Sequence, residues 1–488
     1  MNNETVRKYR YWEWRTITVL FVGYALFYFV RKNLGIAIPA MEEELGISKT
    51  QLGLFLTLHS VIYGFSRFVN GILVDRFSKR KIMSLGLILT CAVNLIICFS
   101  PKLNGLFCLL DTEGKATLGL VYLIGSLWVL NGYLQGMGVP PCVSLLAHWV
   151  KPNELATKQS LWNVSHTLGA GIVVALCGFM LDHFGYTAWY LCFIVPALIA
   201  LVGVPILWFG LKDNPSEVGL PPVEKMCDDY QAKPKENLLD NLDGASYKRI
   251  INKMVFANPY IWIIGLSNFC VYVIRLTILD WGASFLTEEK GMDIASAGGL
   301  LATTEIVGGT LGMLLAGWIS DKLFKSKAHR TCFFCIVFAT LTFFLFWKSD
   351  SIIMAFIWLV LSAFFIYGPQ AIYGVCASQQ ATKYAAGTGN GIIGIFGYAS
   401  SVVSGVIFGS MAETGGWDSV FPVAIAFGVA GAIAIGLMWK APADGYAKLN
   451  KIIEGDAKAV KKINSNVEKT TLGDLDALAA LKSQLESK

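Results

Sequence analysis

"GILVDRFSKRK", residues 71–81, returns as "GWISDKLFKSK" at residues 317–327. Each copy is a glycine, three residues, an aspartate and a run of cations, and the copies lie about 246 residues apart in a chain of 488. A turn that recurs at half the chain length marks two structural copies joined in tandem. Hydrophobic residues make up 55% of the sequence and charged residues 15%, against about 25% charged in an ordinary soluble domain, so lipid is the expected solvent. Apolar runs long enough to cross about 30 Å of hydrocarbon at 1.5 Å per residue lie near 16–40, 51–73, 83–100, 118–148, 158–181 and 187–210. A second set lies near 259–286, 295–319, 330–347, 351–376, 385–411 and 417–439. The prediction is an all-α membrane protein with twelve transmembrane helices in two pseudo-symmetric six-helix bundles.

The net charge of +6 matters through its distribution. Basic turns follow the second and eighth spans, whereas "MEEELG" and "TEEKGMD" after the first and seventh carry acids. By the positive-inside rule the basic turns, "VRKYR" near the start and both termini are expected in the cytoplasm of a multi-pass inner-membrane protein. The expected organisation is an N-terminal bundle over 1–210, a charge-mixed, proline-containing linker over 211–257, a C-terminal bundle over 258–440 and a polar tail over 441–488. In that tail Leu472, Leu475, Leu478, Leu481 and Leu485 would line one face of a short helix. The eleven cysteines lack paired spacing, and Cys332 and Cys335 have no second pair, so core packing is expected of them. The first apolar segment is too long for a cleavable signal.

Two six-span halves with a repeated G-x-x-x-D-R/K turn resemble the major facilitator superfamily over about 440 residues. In transporters built from repeats the substrate site lies near the midplane between halves that rock around it. The turn is expected to serve gating: Gly71 and Gly317 let helices approach, while Asp75, Arg76, Asp321 and Lys322 pair charges at the cytoplasmic face.

A second repeat carries the chemistry. "FYFVRKN" around Arg31 and "VYVIRLT" around Arg275 are offset by about 244 residues, and each arginine lies roughly 22–24 Å along its helix at 1.5 Å per residue. Symmetry brings both to one depth across a central cavity, where an ionised side chain is costly unless it serves a function. Pairing with an acid is the structural alternative. Asp280, about 140° round the helix from Arg275, is expected on another face, and Glu305 reaches at most one arginine. An anionic cargo is the remaining partner: the guanidinium fork matches two phosphate oxygens, and a dianion satisfies both arginines. Trp162, Asn163 and His166 in "LWNVSHTLGAG" are placed to assist, as are Tyr28, Tyr63, Gln135, Asn268, Tyr272, Tyr367 and Tyr398, with Lys32 and Arg67 as further candidates near helix ends.

"GYALFYFVRKN", "YGFSRFVNGILVDR", "LQGMGVPPC", "LWNVSHTLGAG", "NPYIWIIGLSNFCVYVIRLTILDW", "GWISDKLF" and "YGPQ" together resemble the organophosphate:phosphate antiporter family. The resemblance implies that Arg31 and Arg275 bind phosphate with His166 close by, and that inorganic phosphate is exchanged for a phosphorylated metabolite. Arg67 stands where many members carry lysine. Asn390 and Ile393 stand where some hexose-phosphate transporters carry an acid and a lysine. A hexose phosphate is favoured over glycerol 3-phosphate. A sugar-phosphate sensor and a proton-coupled symporter using Glu305 or Asp280 are the alternatives. The absence of a nucleophile elbow, metal cluster or phosphate-cradling loop argues against an enzyme. A monomer in the bilayer is expected, with no cofactor, metal or nucleic acid.

Overall fold

The computed structural model describes residues 3–103, 109–226 and 244–454. The leucine face at 472–485 and most of the linker lie outside the described residues. The first half comprises α1 (Asn3–Leu45), α2 (Lys49–Arg76), α3 (Lys79–Phe99), α4 (Leu118–Gln135), α5 (Val139–Trp149), α6 (Leu155–Phe184) and α7 (Leu191–Gly210). After a linker helix, α8 (Gly244–Ile251), the second half comprises α9 (Pro259–Glu288), α10 (Ile294–Thr303), α11 (Thr310–Lys322), α12 (Ala328–Lys348), α13 (Ile352–Ala381), α14 (Ala386–Val402), α15 (Phe408–Gly415) and α16 (Trp417–Gly436). Short π turns join α10 to α11 and α14 to α15, and α4 and α5 share one span broken at Gly136–Gly138. The described residues thus contain twelve segments long and apolar enough to cross a membrane.

Local chemistry sets the helix ends. Ser48 caps α2 in a reciprocal box with Gln51, Asn258 precedes Pro259 at the start of α9, and Asp293 caps α10 through the Ser296 amide at 2.9 Å, each satisfying a donor that the first turn leaves free. Gly46 and Gly291 take φ of +69° and +67° in the turns after α1 and α9, a region where side chains are disfavoured. The apolar exterior includes Phe179, Phe209, Ile353 and Leu437, all exposed, as expected where lipid replaces water.

Two features depart from the sequence reading. Helix α1 begins at Asn3, and its 43 residues reach about 64 Å at 1.5 Å per residue, so it projects past the bilayer. The polar tail read from residue 441 also begins with a segment packed on the protein. Tyr446, Leu449, Ile452 and Ile453 recur at helical spacing and bury against Ile250 and Met254, while the Gly445 amide donates to the Gln379 carbonyl at 2.8 Å. Cys332 and Cys335 are core residues.

The halves meet at the end of the bundle that carries the basic turns. A Cβ placed on Gly71 of α2 would lie 2.3 Å from the Gly387 carbonyl oxygen of α14, and one on Gly317 of α11 would lie 2.7 Å from the Ala156 carbonyl oxygen of α6. Those glycines let helices of opposite halves touch backbone to backbone. Gly71→Ala is therefore expected to keep this seam from closing, shifting its closed-to-open ratio by at least about tenfold, or ~1.4 kcal/mol, read as a longer separation between spin labels placed across the seam. Unchanged separations in that variant would contradict it.

Candidate functional site

Above the seam lies a cavity of about 660 Å³ lined by both halves, within the range of small-molecule sites. Helix α1 supplies Tyr24, Tyr28, Arg31 and Lys32; α2 supplies Tyr63 and Arg67; α6 supplies Gln159, Trp162, Asn163 and His166. The second half supplies Asn268, Tyr272, Arg275, Asp280, Glu305, Tyr367, Gln370, Asn390 and Tyr398. Every site residue expected from the sequence is thus on the wall, with one exception.

That exception is Gln135. It is 2% exposed and its amide donates to the Phe27 carbonyl at 3.0 Å and the Val30 carbonyl at 3.4 Å, so it faces α1 rather than the cavity. Asp280 departs from expectation in the other direction. It lines the cavity and accepts from the Ser404 hydroxyl at 2.8 Å. The cavity wall wraps more of α9 than one helical face, so a 140° rotation does not remove a side chain from it.

Each arginine rests on aromatic rings. The Arg31 guanidinium lies 3.8 Å from the Tyr63 ring centroid and 5.2 Å from that of Tyr28, and its Nη2 donates to the Tyr398 hydroxyl of the other half at 3.2 Å. Arg275 lies 4.9 Å from the Tyr367 ring and 5.5 Å from the Tyr272 ring, and its Nη2 donates to the Tyr367 hydroxyl at 3.2 Å. Tyr367 in turn donates to Glu305, so this carboxylate reaches Arg275 only through a phenol. Among the described residues no carboxylate lies within ion-pair distance of Arg31 or Arg275, and Nε of Arg275 is buried without a partner. Aromatic faces hold a cation in place while leaving much of its donor fork free for an anion.

The remaining polar side chains complete the wall. Arg67 Nη2 donates to Asn390 Oδ1 across the halves at 2.7 Å, and Asn268 donates to the Ile393 carbonyl at 2.9 Å. His166 Nδ1 faces the Asn163 carbonyl. A carbonyl only accepts, so the proton sits on Nδ1 and Nε2 is the atom left for a ligand, with the Thr167 hydroxyl 3.4 Å away. Trp162 lies against Tyr24, centroids 5.0 Å apart. Gln159, Gln370 and Tyr24 are wall residues the sequence reading missed. Helical spacing was the available signal: Gln159 precedes Asn163 by four, Gln370 follows Tyr367 by three and Tyr24 precedes Tyr28 by four.

The gating residues have partners other than those expected. Asp75 accepts from the Gly387 and Thr388 amides at 2.8 and 2.7 Å and from the Thr388 hydroxyl at 2.7 Å. Asp321 accepts from the Thr157 amide and hydroxyl, both at 2.7 Å, and from the Ala156 amide at 3.3 Å. Both carboxylates cap the first turn of a helix in the opposite half, where free amides and the helix dipole favour an anion. Among the described residues neither pairs with a cation. Arg76 and Lys322 are exposed.

Two helical halves enclosing a cation-lined cavity, sealed at one end, define a membrane carrier. The Major Facilitator Superfamily profile matches residues 20–405. The chain is 32% identical to the probable hexose phosphate transport protein of Chlamydia trachomatis over 461 residues, covering 91% of this chain and 95% of that one. It is 32% identical to the glycerol-3-phosphate transporter of Bacillus subtilis over 423 residues, covering 86% and 90% of the two chains. The membrane sensor protein UhpC of Salmonella typhimurium is 33% identical over 433 residues, with 88% and 92% covered. The proton:xylose symporter XylE shares the fold, with a TM-score of 0.67 at 16% identity over 88% of this chain and 96% of that one. The chain belongs to the major facilitator superfamily and, within it, to the organophosphate:phosphate antiporter family. It is a multi-pass membrane carrier, not an enzyme.

Proposed function

We propose that this protein exchanges an organophosphate for inorganic phosphate by alternating access. The observation that carries the reading is the pair Arg31 and Arg275, contributed by opposite halves to one cavity and without a carboxylate in ion-pair range among the described residues. A phosphoryl dianion satisfies both guanidinium forks and draws the halves together. An empty site keeps two uncompensated cations apart, so it crosses between states slowly, and exchange results. His166, Asn163, Trp162, Tyr28, Tyr63, Tyr272, Tyr367 and Tyr398 complete the phosphate end, with Lys32 and Arg67 adding positive potential. Asn268, Asn390 and Gln370 are neutral donors and acceptors suited to sugar hydroxyls, which supports a hexose phosphate over glycerol 3-phosphate. The protein acts in the inner membrane, as a monomer, with its basic turns and both termini in the cytoplasm.

In proteoliposomes, uptake of labelled phosphate is expected only when phosphate or an organophosphate is loaded inside, with hexose phosphates competing more strongly than glycerol 3-phosphate. Equal uptake into empty vesicles would rule out obligatory exchange. The similarity to a membrane sensor supports a second reading, in which the same cavity reports external sugar phosphate. Deleting the chain would then abolish induction of another uptake protein, and the purified protein would show no exchange in vesicles.

A further inference from the structure

We propose that Asn94, Asn131 and Gln135 are positioning residues that hold the Val30 carbonyl and thereby aim Arg31 into the cavity. This rests on Arg31 being a phosphate ligand. Helix α1 leaves helical geometry at Val30, where φ is −100° and ψ is 18°, and the next residue is Arg31. Within a bilayer, backbone groups at such a break need partners from neighbouring helices. Three side-chain amides converge on the Val30 carbonyl: Asn131 at 3.0 Å from α4, Asn94 at 3.2 Å from α3 and Gln135 at 3.4 Å.

The amides are themselves fixed. Asn33 donates to Asn94 Oδ1 at 2.8 Å and to the Cys192 carbonyl at 3.0 Å, and Asn94 also donates to the Thr90 carbonyl at 2.9 Å. Asn33, Asn94 and Asn131 are fully buried. Placing this many amides in an apolar bundle is costly unless each is hydrogen-bonded, and bundle packing alone would be served by leucine. None of the three positioning residues lines the cavity, so they act on a ligand only through α1.

Among the described residues no side-chain amide reaches the matching carbonyl, that of Ile274, in the second half. The repeat offset places Thr277 and Thr340 opposite Asn33 and Asn94, and each hydroxyl turns back onto its own helix, to the Val273 and Ile336 carbonyls at 2.7 Å. Arg275 is aimed instead by Tyr367 and, through it, Glu305. The two arginines are therefore held by different means, one through its backbone and one through its guanidinium. Loss of an amide on Val30 disturbs Arg31 alone.

The test is a set of double-mutant cycles on the purified full-length protein, reading the Kd for inorganic phosphate. Asn131→Leu, close in shape but without the donor, is expected to weaken binding about tenfold and Arg31→Lys about 100-fold, whereas the double variant binds within about twofold of Arg31→Lys, since coupled residues are non-additive. In the Arg275→Lys background Asn131→Leu keeps its full tenfold cost. Gln135→Met runs the same cycle where Asn131→Leu does not fold. Wild-type binding by the amide variants, or the same added loss in both arginine backgrounds, would overturn the positioning role. Wild-type binding by Arg31→Lys would instead remove the phosphate-site reading on which it stands.

Discussion

Arg31→Lys and Arg275→Lys are each expected to lower phosphate exchange by about 100-fold, or roughly 2.7 kcal/mol, although each substitution retains the positive charge. A guanidinium presents a planar fork to two phosphate oxygens, while an ammonium presents a point charge and one good contact at a time. A hydrogen bond to a charged group contributes about 1.5–3 kcal/mol, so losing one of two accounts for the effect. The aromatic beds add to it: Arg31 sits 3.8 Å over the Tyr63 ring, where a planar cation stacks and a lysine does not. Initial rates of labelled phosphate exchange in proteoliposomes, over a range of phosphate concentrations, measure the loss. Near-normal rates in both variants would take the arginine pair out of the site.

Asp75→Ala is the second large effect, and it acts on conformation. The side chain accepts three hydrogen bonds from Gly387 and Thr388 of the other half, each of a class worth about 1.5–3 kcal/mol when one partner is charged. Removing the carboxylate also leaves the first turn of α14 without its anion. Spread over a two-state seal, a loss of even ~2.7 kcal/mol shifts the closed-to-open ratio about 100-fold. Spin labels at the exposed positions Arg76 and Lys322 are expected to show a new, longer separation in Asp75→Ala, and Asp321→Ala should mirror it because Asp321 makes the symmetry-related contacts to Ala156 and Thr157. Asp75→Asn keeps one acceptor oxygen and should lie between. Unchanged distances together with wild-type exchange would show that the capping contacts do not govern the seal.

Much of this arrangement was legible before any coordinates. The spans follow from lengths of apolar sequence, because a bilayer leaves helices as the only way for a single segment to satisfy its own backbone. The repeated G-x-x-x-D turn and the repeated arginine give the two halves and their symmetry. Arg31, Arg275, Tyr28, Tyr63, Asn163 and His166, which line the cavity, stood out because an ionised or polar residue inside an apolar run has few explanations. Gln135 was misplaced by the same rule, which marks a polar side chain in a span as significant without saying which way it faces. Gln159 and Gln370 were missed although their helical spacing to recognised neighbours was visible.

The sequence by itself determined the twelve helices, their pairing into two copies and the identity of the two cations set deep in the membrane, since these depend on local composition and on spacing along the chain. Only the tertiary structure decided that Asp75 and Asp321 bind backbone amides of the opposite half, that Glu305 reaches Arg275 through Tyr367, and that three amides gather at the Val30 carbonyl. Each of those is a hydrogen-bonded contact between segments distant in the chain. Such contacts depend on how the helices rotate and cross, which the pattern of apolar residues constrains only to the nearest face.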